Sequence, residues 1–155
     1  MPQVSNAIRQ IQHVVQDHGD KHTELGGGTS TKDVEWIGQL LGWTWPPTYL
    51  EIIGKFDGVS VQNAIVLSFM SSFQCFLGFR DIWHRADGFW PVGNDECGNY
   101  HALSFARRDS AGELPVVMIY HDEPAPIEYA NNYAEFVIRL MREQCEYCGC
   151  SAWPE

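Results

Sequence analysis

Phe89-Trp90-Pro91-Val92-Gly93-Asn94-Asp95-Glu96-Cys97-Gly98-Asn99-Tyr100-His101-Ala102-Leu103-Ser104-Phe105 is the stretch whose reading decides the fold. Two short apolar runs flank a polar segment, Asn94 to Asn99, rich in turn formers. Asn and Asp side chains bond neighbouring backbone amides and Gly takes the left-handed backbone, so this segment reverses the chain. The flanking runs, Phe89 to Gly93 and Tyr100 to Phe105, are too short for helices and read as strands. Pro91 has no N–H to give to a ladder, which places the first run at an edge or a strand end. A short turn can join only antiparallel neighbours, because a parallel pair needs a long crossover.

Reading outward keeps the same logic. Towards the C-terminus, a loop containing Asp109-Ser110-Ala111-Gly112 leads to a strand over Val116 to Tyr120. A closing helix follows, capped by Asn131 or Asn132, with Tyr133, Phe136, Val137, Leu140 and Met141 on one face. Towards the N-terminus, residues 71 to 87 read as a helix through Phe76, Phe79, Ile82, Trp83 and Ala86. Before it, Ile65 to Phe69 is a β-branched, buried strand. Asp57-Gly58 breaks a helix that starts at Pro46-Pro47, where proline costs no hydrogen bond, and repeats through Tyr49, Leu50, Ile53 and Phe56. A helix from Thr31 or Asp33 carries Val34, Ile37, Leu40 and Leu41 and ends at Gly42. Val4, Ala7, Ile8, Ile11, Val14 and Val15 fall at helical spacing in the first segment, which stops at His18-Gly19-Asp20. Gly26-Gly27-Gly28-Thr29-Ser30 reads as a flexible polar loop. No Lys-Ser or Lys-Thr follows it and no strand is expected before it, so it is not a phosphate loop. Three regions result: a helical arm and Gly-rich loop over 1–31, one domain over 32–144, and a Cys-rich tail over 145–155. Strands joined by turns, with helices before and after, predict an α+β fold with a mostly antiparallel central sheet flanked by helices.

Composition bounds the function. The chain has 155 residues, enough for one domain. Apolar residues are 45% and aromatics 13%, which supports a packed core. Ten Lys and Arg stand against 20 Asp and Glu, a formal charge of -10, which disfavours nucleic acid or an anionic membrane as partner. No apolar run approaches the roughly 18 residues of a membrane span. The N-terminus lacks the basic start and apolar run of a secretory signal. Five cysteines, an odd number, do not make a secreted disulfide framework, so a reducing cytoplasm is expected.

Three blocks in order carry a family resemblance. Leu41-Gly42, Pro47-Thr48-Tyr49-Leu50 and Phe56-Asp57-Gly58 resemble the N-terminal signature of the SUKH superfamily. Pro91 to Tyr100 resembles its central signature. Val116 to Asp122, followed by Tyr129-Ala130-Asn131-Asn132-Tyr133-Ala134-Glu135-Phe136, is similar to its closing strand and helix. Asp57-Gly58-Val59 stands where the family more often has Asn-Gly-Gly. The resemblance implies an α+β domain that acts through protein contacts. Its members are dominated by immunity proteins that neutralise cognate bacterial toxins, and include relatives of a yeast cell-wall assembly regulator.

Charge patterning adds a candidate surface. From Ala86 to Ile138 there are nine acidic residues and two basic ones, Arg107 and Arg108. Asp95 and Glu96 sit in the central turn, and Asp122 and Glu123 follow the closing strand. If the two loops share one rim of the sheet, they form an acidic docking surface for a basic toxin domain, with charge steering the encounter. The plain alternative is a solvated acidic face that aids solubility. Trp90 and Tyr100 flank the turn and are the aromatic candidates for the contact, with Asp57 as a further one. Trp83 reads as core.

Two chemical readings compete with binding. Cys145, Cys148 and Cys150 can ligate zinc if Cys75, Cys97, His101 or His121 supplies a fourth ligand, but no second pair at matching spacing exists, and reduced, unligated thiols are the reading kept. Cys97, His101, His121 and Asp122 can be assembled into a thiol-enzyme set, yet no spacing demands it. The expected function is therefore that of a non-enzymatic toxin-binding immunity protein without cofactor or metal. A regulatory interaction module without a toxin is the alternative, and a thiol- or zinc-dependent enzyme comes third.

Overall fold

The computed structural model describes residues 2–17, 23–61, 64–79, 88–95, 97–123 and 125–148. In chain order its elements are α1 (Pro2–Asp17), β1 (Thr23–Leu25), α2 (Thr31–Leu41), α3 (Pro47–Ile53), β2 (Val59–Val61), β3 (Ala64–Val66), α4 (Phe69–Phe79), β4 (Phe89–Asn94), β5 (Tyr100–Ser104), β6 (Val116–Ile119), β7 (Ile127–Ala130) and α5 (Tyr133–Cys148). The described strands form one seven-stranded sheet in sequence order, β1 to β7, with every neighbouring pair antiparallel. This is the α+β architecture expected from the turn-joined strands. The short strands β1 and β7, absent from the sequence reading, complete its two edges.

Local chemistry explains the boundaries. Gly42 ends α2 in the left-handed conformation at φ 69°, where a Cβ would be strained. Pro47 starts α3, and its first turn is held by a distant side chain: buried Glu113 accepts from the Thr48 amide at 3.0 Å and its hydroxyl at 2.7 Å. Asn132 Oδ1 accepts from the Glu135 amide at 2.9 Å, while Glu135 reaches back to the Asn131 amide at 3.2 Å, a reciprocal cap that fixes the start of α5.

The core gathers around Trp90, which is fully buried. Trp43, Trp45, Phe69 and Phe76 approach it with ring centroids between 4.9 and 6.2 Å away. Aromatic rings at these separations add to the burial of their large apolar areas. Trp45 also donates to the Val34 carbonyl at 2.8 Å, tying α2 to this cluster.

Several expectations differ from the structure, among them the strand read over Ile65 to Phe69, which ends at Val66 because Phe69 opens α4. The first helix, read as an arm, lays Val4, Ala7, Ile11 and Val14 into the shared core at 1% exposure or less. It packs on α3 and α5 because its apolar stripe meets theirs. The glycine loop, read as flexible, is pinned: Gly26 donates to Gly58 O at 2.9 Å, Gly27 O accepts from Asp57 N at 3.1 Å, and Thr29 donates to Ile53 O at 3.0 Å. Glycine is needed there for close approach, not for mobility. Pro91 lies on a central strand, not an edge. A β-bulge between Pro91 and Gly93 interrupts the ladder and accommodates the missing N–H. Trp83 lies outside the described residues.

Candidate functional site

In a meander, alternate turns return to the same end of the sheet. The β4–β5 turn and the β6–β7 loop therefore share one rim. Asp95 builds the first of these. Its Oδ1 accepts from the amides of Cys97 at 2.8 Å and Asn99 at 3.2 Å, and its Oδ2 accepts from Asn99 Nδ2 at 2.7 Å. Gly98, at φ 90°, supplies the left-handed residue that closes the turn. Burial works against the Asp95 charge, but the hydrogen bonds from Asn99 and Cys97 outweigh it and hold the carboxyl below its usual range.

The same Asn99 side chain clamps the second loop. Its Oδ1 accepts from the His121 amide at 3.1 Å and lies 2.9 Å from His121 Nδ1, the geometry of a second donated bond. Asp122 and Glu123 follow immediately and are exposed. The structure thus brings Asp95, Asp122 and Glu123 to one rim.

Beside the rim, between the sheet and α5, lies a cleft of about 370 Å³. Tyr129 forms one wall and donates its hydroxyl to Glu143 at 2.8 Å; Arg139 bonds Glu143 at 2.9 Å and lies 4.0 Å over the Tyr129 ring. Burial, then the Glu143 carboxylate, keep the Tyr129 phenol protonated, so it remains a donor. His101 lies at the back of this cleft at 2% exposure, with ring centroids 4.6 Å from Tyr129 and 5.0 Å from Phe136, and its Nδ1 has no hydrogen-bond partner. Burial, chiefly, lowers its pKa to about 4, against the pull of Glu143 and Asp95, so the ring is neutral near pH 7.

The other candidates lie elsewhere. Trp90 is not a contact residue: it fills the centre of the core, and its indole N–H is spent on Tyr49 Oη at 3.0 Å. Tyr100 is half-buried at the start of β5, its phenol pushed up chiefly by burial. Asp57 sits at the opposite end of the sheet, where its Oδ1 accepts from the Phe69 amide at 2.6 Å at the start of α4. Burial pushes its carboxyl above the usual value against the bonds from Phe69 and Thr29. Glu96 lies outside the described residues.

A thiol-enzyme set is not assembled. Cys97 is exposed on the turn, His101 is buried among aromatic rings, and His121 is oriented by Asn99 and not by a carboxylate. Among the described residues no group of three or more His, Cys, Asp or Glu is placed to hold a metal. The side chains of Cys145 and Cys148, and all of Cys150, lie outside them. No helix among the described residues is long and apolar enough to cross a membrane.

Tyr129, Arg139 and Glu143 were not singled out from the sequence. Arg139 and Glu143 stand four apart on the closing helix, a spacing at which side chains meet. That was the readable signal. Tyr129 stood only as the start of the closing family block, with nothing to mark it as lining a site, because the strand carrying it has four residues.

Residues 28–139 match the family model described as SMI1 / KNR4 family (SUKH-1). No curated protein matches the chain.

Proposed function

This chain belongs to the SMI1 / KNR4 family (SUKH-1), and on that premise we propose that it is an immunity protein that neutralises a cognate, basic toxin domain by stoichiometric contact. The observation that carries the reading is the Asn99–His121 clamp, which fuses the acidic turn and the acidic loop into one rim. Exposed carboxylates on a rim with a net-acidic protein behind it steer a basic partner and speed its capture. An inhibitor that must arrive before damage is done gains most from association rate. Inhibition then needs no chemistry of its own. Covering the toxin's active site or its substrate surface suffices.

The test is co-purification with the product of the neighbouring gene, followed by growth rescue on toxin expression. The double variant Asp122→Lys/Glu123→Lys is the informative one, because both side chains are exposed and neither builds the turn. Affinity for the toxin should fall at least about tenfold, or roughly 1.4 kcal/mol, and more at low salt than at high. A change of less than about threefold, within the range of rim charges that contribute little, overturns the rim as the interface.

A further inference from the structure

We propose that the cleft between the sheet and α5 is a receptor for one arginine side chain of the partner, so that docking is by insertion as well as by surface charge. The proposal rests on the protein-binding reading above and deepens it. The cleft has about 370 Å³, inside the range of about 300–1,000 Å³ typical of ligand sites. Its walls carry three carboxylates, Asp95, Glu128 and Glu143, against one guanidinium, Arg139. Arg139 and Glu143 neutralise each other, with Arg139 stacked on Tyr129, so Asp95 and Glu128 set the sign of the site. Glu128 is drawn from outside by Arg107, but both members of that pair are more than half exposed, at 70% and 54%. An exposed pair of this kind is weak and exchanges readily for a better-placed cation.

The rest of the lining suits a guanidinium on an aliphatic stem. Met118, Leu140 and Ile127 give apolar contact, and Ile127 is left 52% exposed. An exposed isoleucine on an edge strand costs solubility unless something covers it. Tyr120 offers an aromatic wall of the kind planar guanidinium groups pack against. At the back, His101 is neutral and presents no repelling charge. The Tyr129 hydroxyl and Arg139 hold Glu143 in place before a ligand arrives, so little ordering remains for binding to accomplish.

The experiment titrates the isotope-labelled protein with N-acetyl-arginine amide and, separately, with its neutral isostere N-acetyl-citrulline amide, following backbone amide resonances. Saturable shifts at Asp95, Met118, Glu128 and Tyr129 are expected with arginine, at least fivefold weaker binding with citrulline, and a similar loss in Glu128→Gln. Glu128 is exposed, so that variant keeps the fold. Shifts that are absent, spread over the acidic surface, equal for citrulline, or indifferent to Glu128→Gln overturn the proposal. The two readings fail separately. Arginine binding in the cleft with toxin affinity unmoved by Asp122→Lys/Glu123→Lys removes the rim and leaves the receptor. Rim-dependent toxin binding with a silent cleft removes the receptor alone.

Discussion

The indole of Trp90 donates to the hydroxyl of Tyr49 at 3.0 Å, and both side chains are fully buried. This bond joins the central strand to α3 in the middle of the aromatic cluster. Tyr49→Phe keeps the ring and its packing but leaves a buried indole N–H without its acceptor. A loss of roughly 1–3 kcal/mol in unfolding free energy is expected, the cost of one unsatisfied buried donor. Urea unfolding measures it. An unchanged midpoint would show that the bond adds nothing beyond ring packing.

The glycine loop makes a contrasting set. A Cβ on Gly26 would lie 2.1 Å from Asp57 O, and one on Gly28 would lie 2.1 Å from Gly54 O, while one on Gly27 meets nothing within 4 Å. Backbone atoms cannot swing aside as side chains do. Gly26→Ala and Gly28→Ala should each destabilise by about 3 kcal/mol or more, at the upper end of overpacking effects. Gly27→Ala should be neutral or stabilise by a few tenths of a kcal/mol through the unfolded chain. Equal thermal midpoints for all three variants would show the loop to be a passive linker after all.

Asp57 separates charge from capping. Its carboxyl is raised by burial, so the unfolded chain gives up this proton first, and the charged folded form is disfavoured as pH rises. Asp57→Asn keeps an oxygen for the Phe69 amide and removes the charge. Its stability should equal or exceed that of the parent at pH 7, with the advantage gone below the ordinary value of 3.8. Asp57→Ala loses the acceptor and should cost about 1 kcal/mol at either pH. Circular dichroism melts at pH 3 and pH 7 decide between these outcomes, and a less stable Asn variant at pH 7 would reverse the reading.

These positions also show what was legible. Helix faces and the turn at Asn94 to Asn99 were readable because their signals are local: apolar spacing, proline at a helix start, Asn and Gly at a reversal. That the β4–β5 turn and the loop after β6 share one end of the sheet was readable as well, since a meander fixes which turns are neighbours. Trp90 was not, because a tryptophan beside a polar turn carries the same local pattern whether it faces solvent or the core. Only the packing of α3 and α4 against β4 decides it. The glycines at 26 and 28 failed for the same reason. A flexible linker and a close backbone approach are written with one residue type, and the backbone approached, at Gly54 and Asp57 after α3, is 26 and 31 residues away. The cleft was the least legible, since its walls come from the β4–β5 turn, β5, β6, β7 and α5.

His101 offers the sharpest dependence on pH. Its folded pKa, about 4, is below the ordinary value of 6.5, so between these two values the unfolded chain binds the proton and the folded chain does not. Stability from this residue is therefore complete above pH 6.5, falls as pH drops towards 4, and levels off below. The drop amounts to roughly 3 to 4 kcal/mol, at about 1.4 kcal/mol for each pH unit between the two values. Carboxylates titrate at the lower end of the same window, so the measurement is a difference against His101→Leu. That variant removes a ring whose Nδ1 has no partner, and replacing an unpartnered polar group by an apolar one need not cost a hydrogen bond. Measured at pH 7.5 and pH 4.5, the unfolding free energy of the parent should fall relative to that of the variant as pH drops, because only the parent acquires the penalty. Parallel curves would mean that the ring gains a proton in the folded state as readily as in the unfolded one, and that the cleft floor carries positive charge at mildly acidic pH.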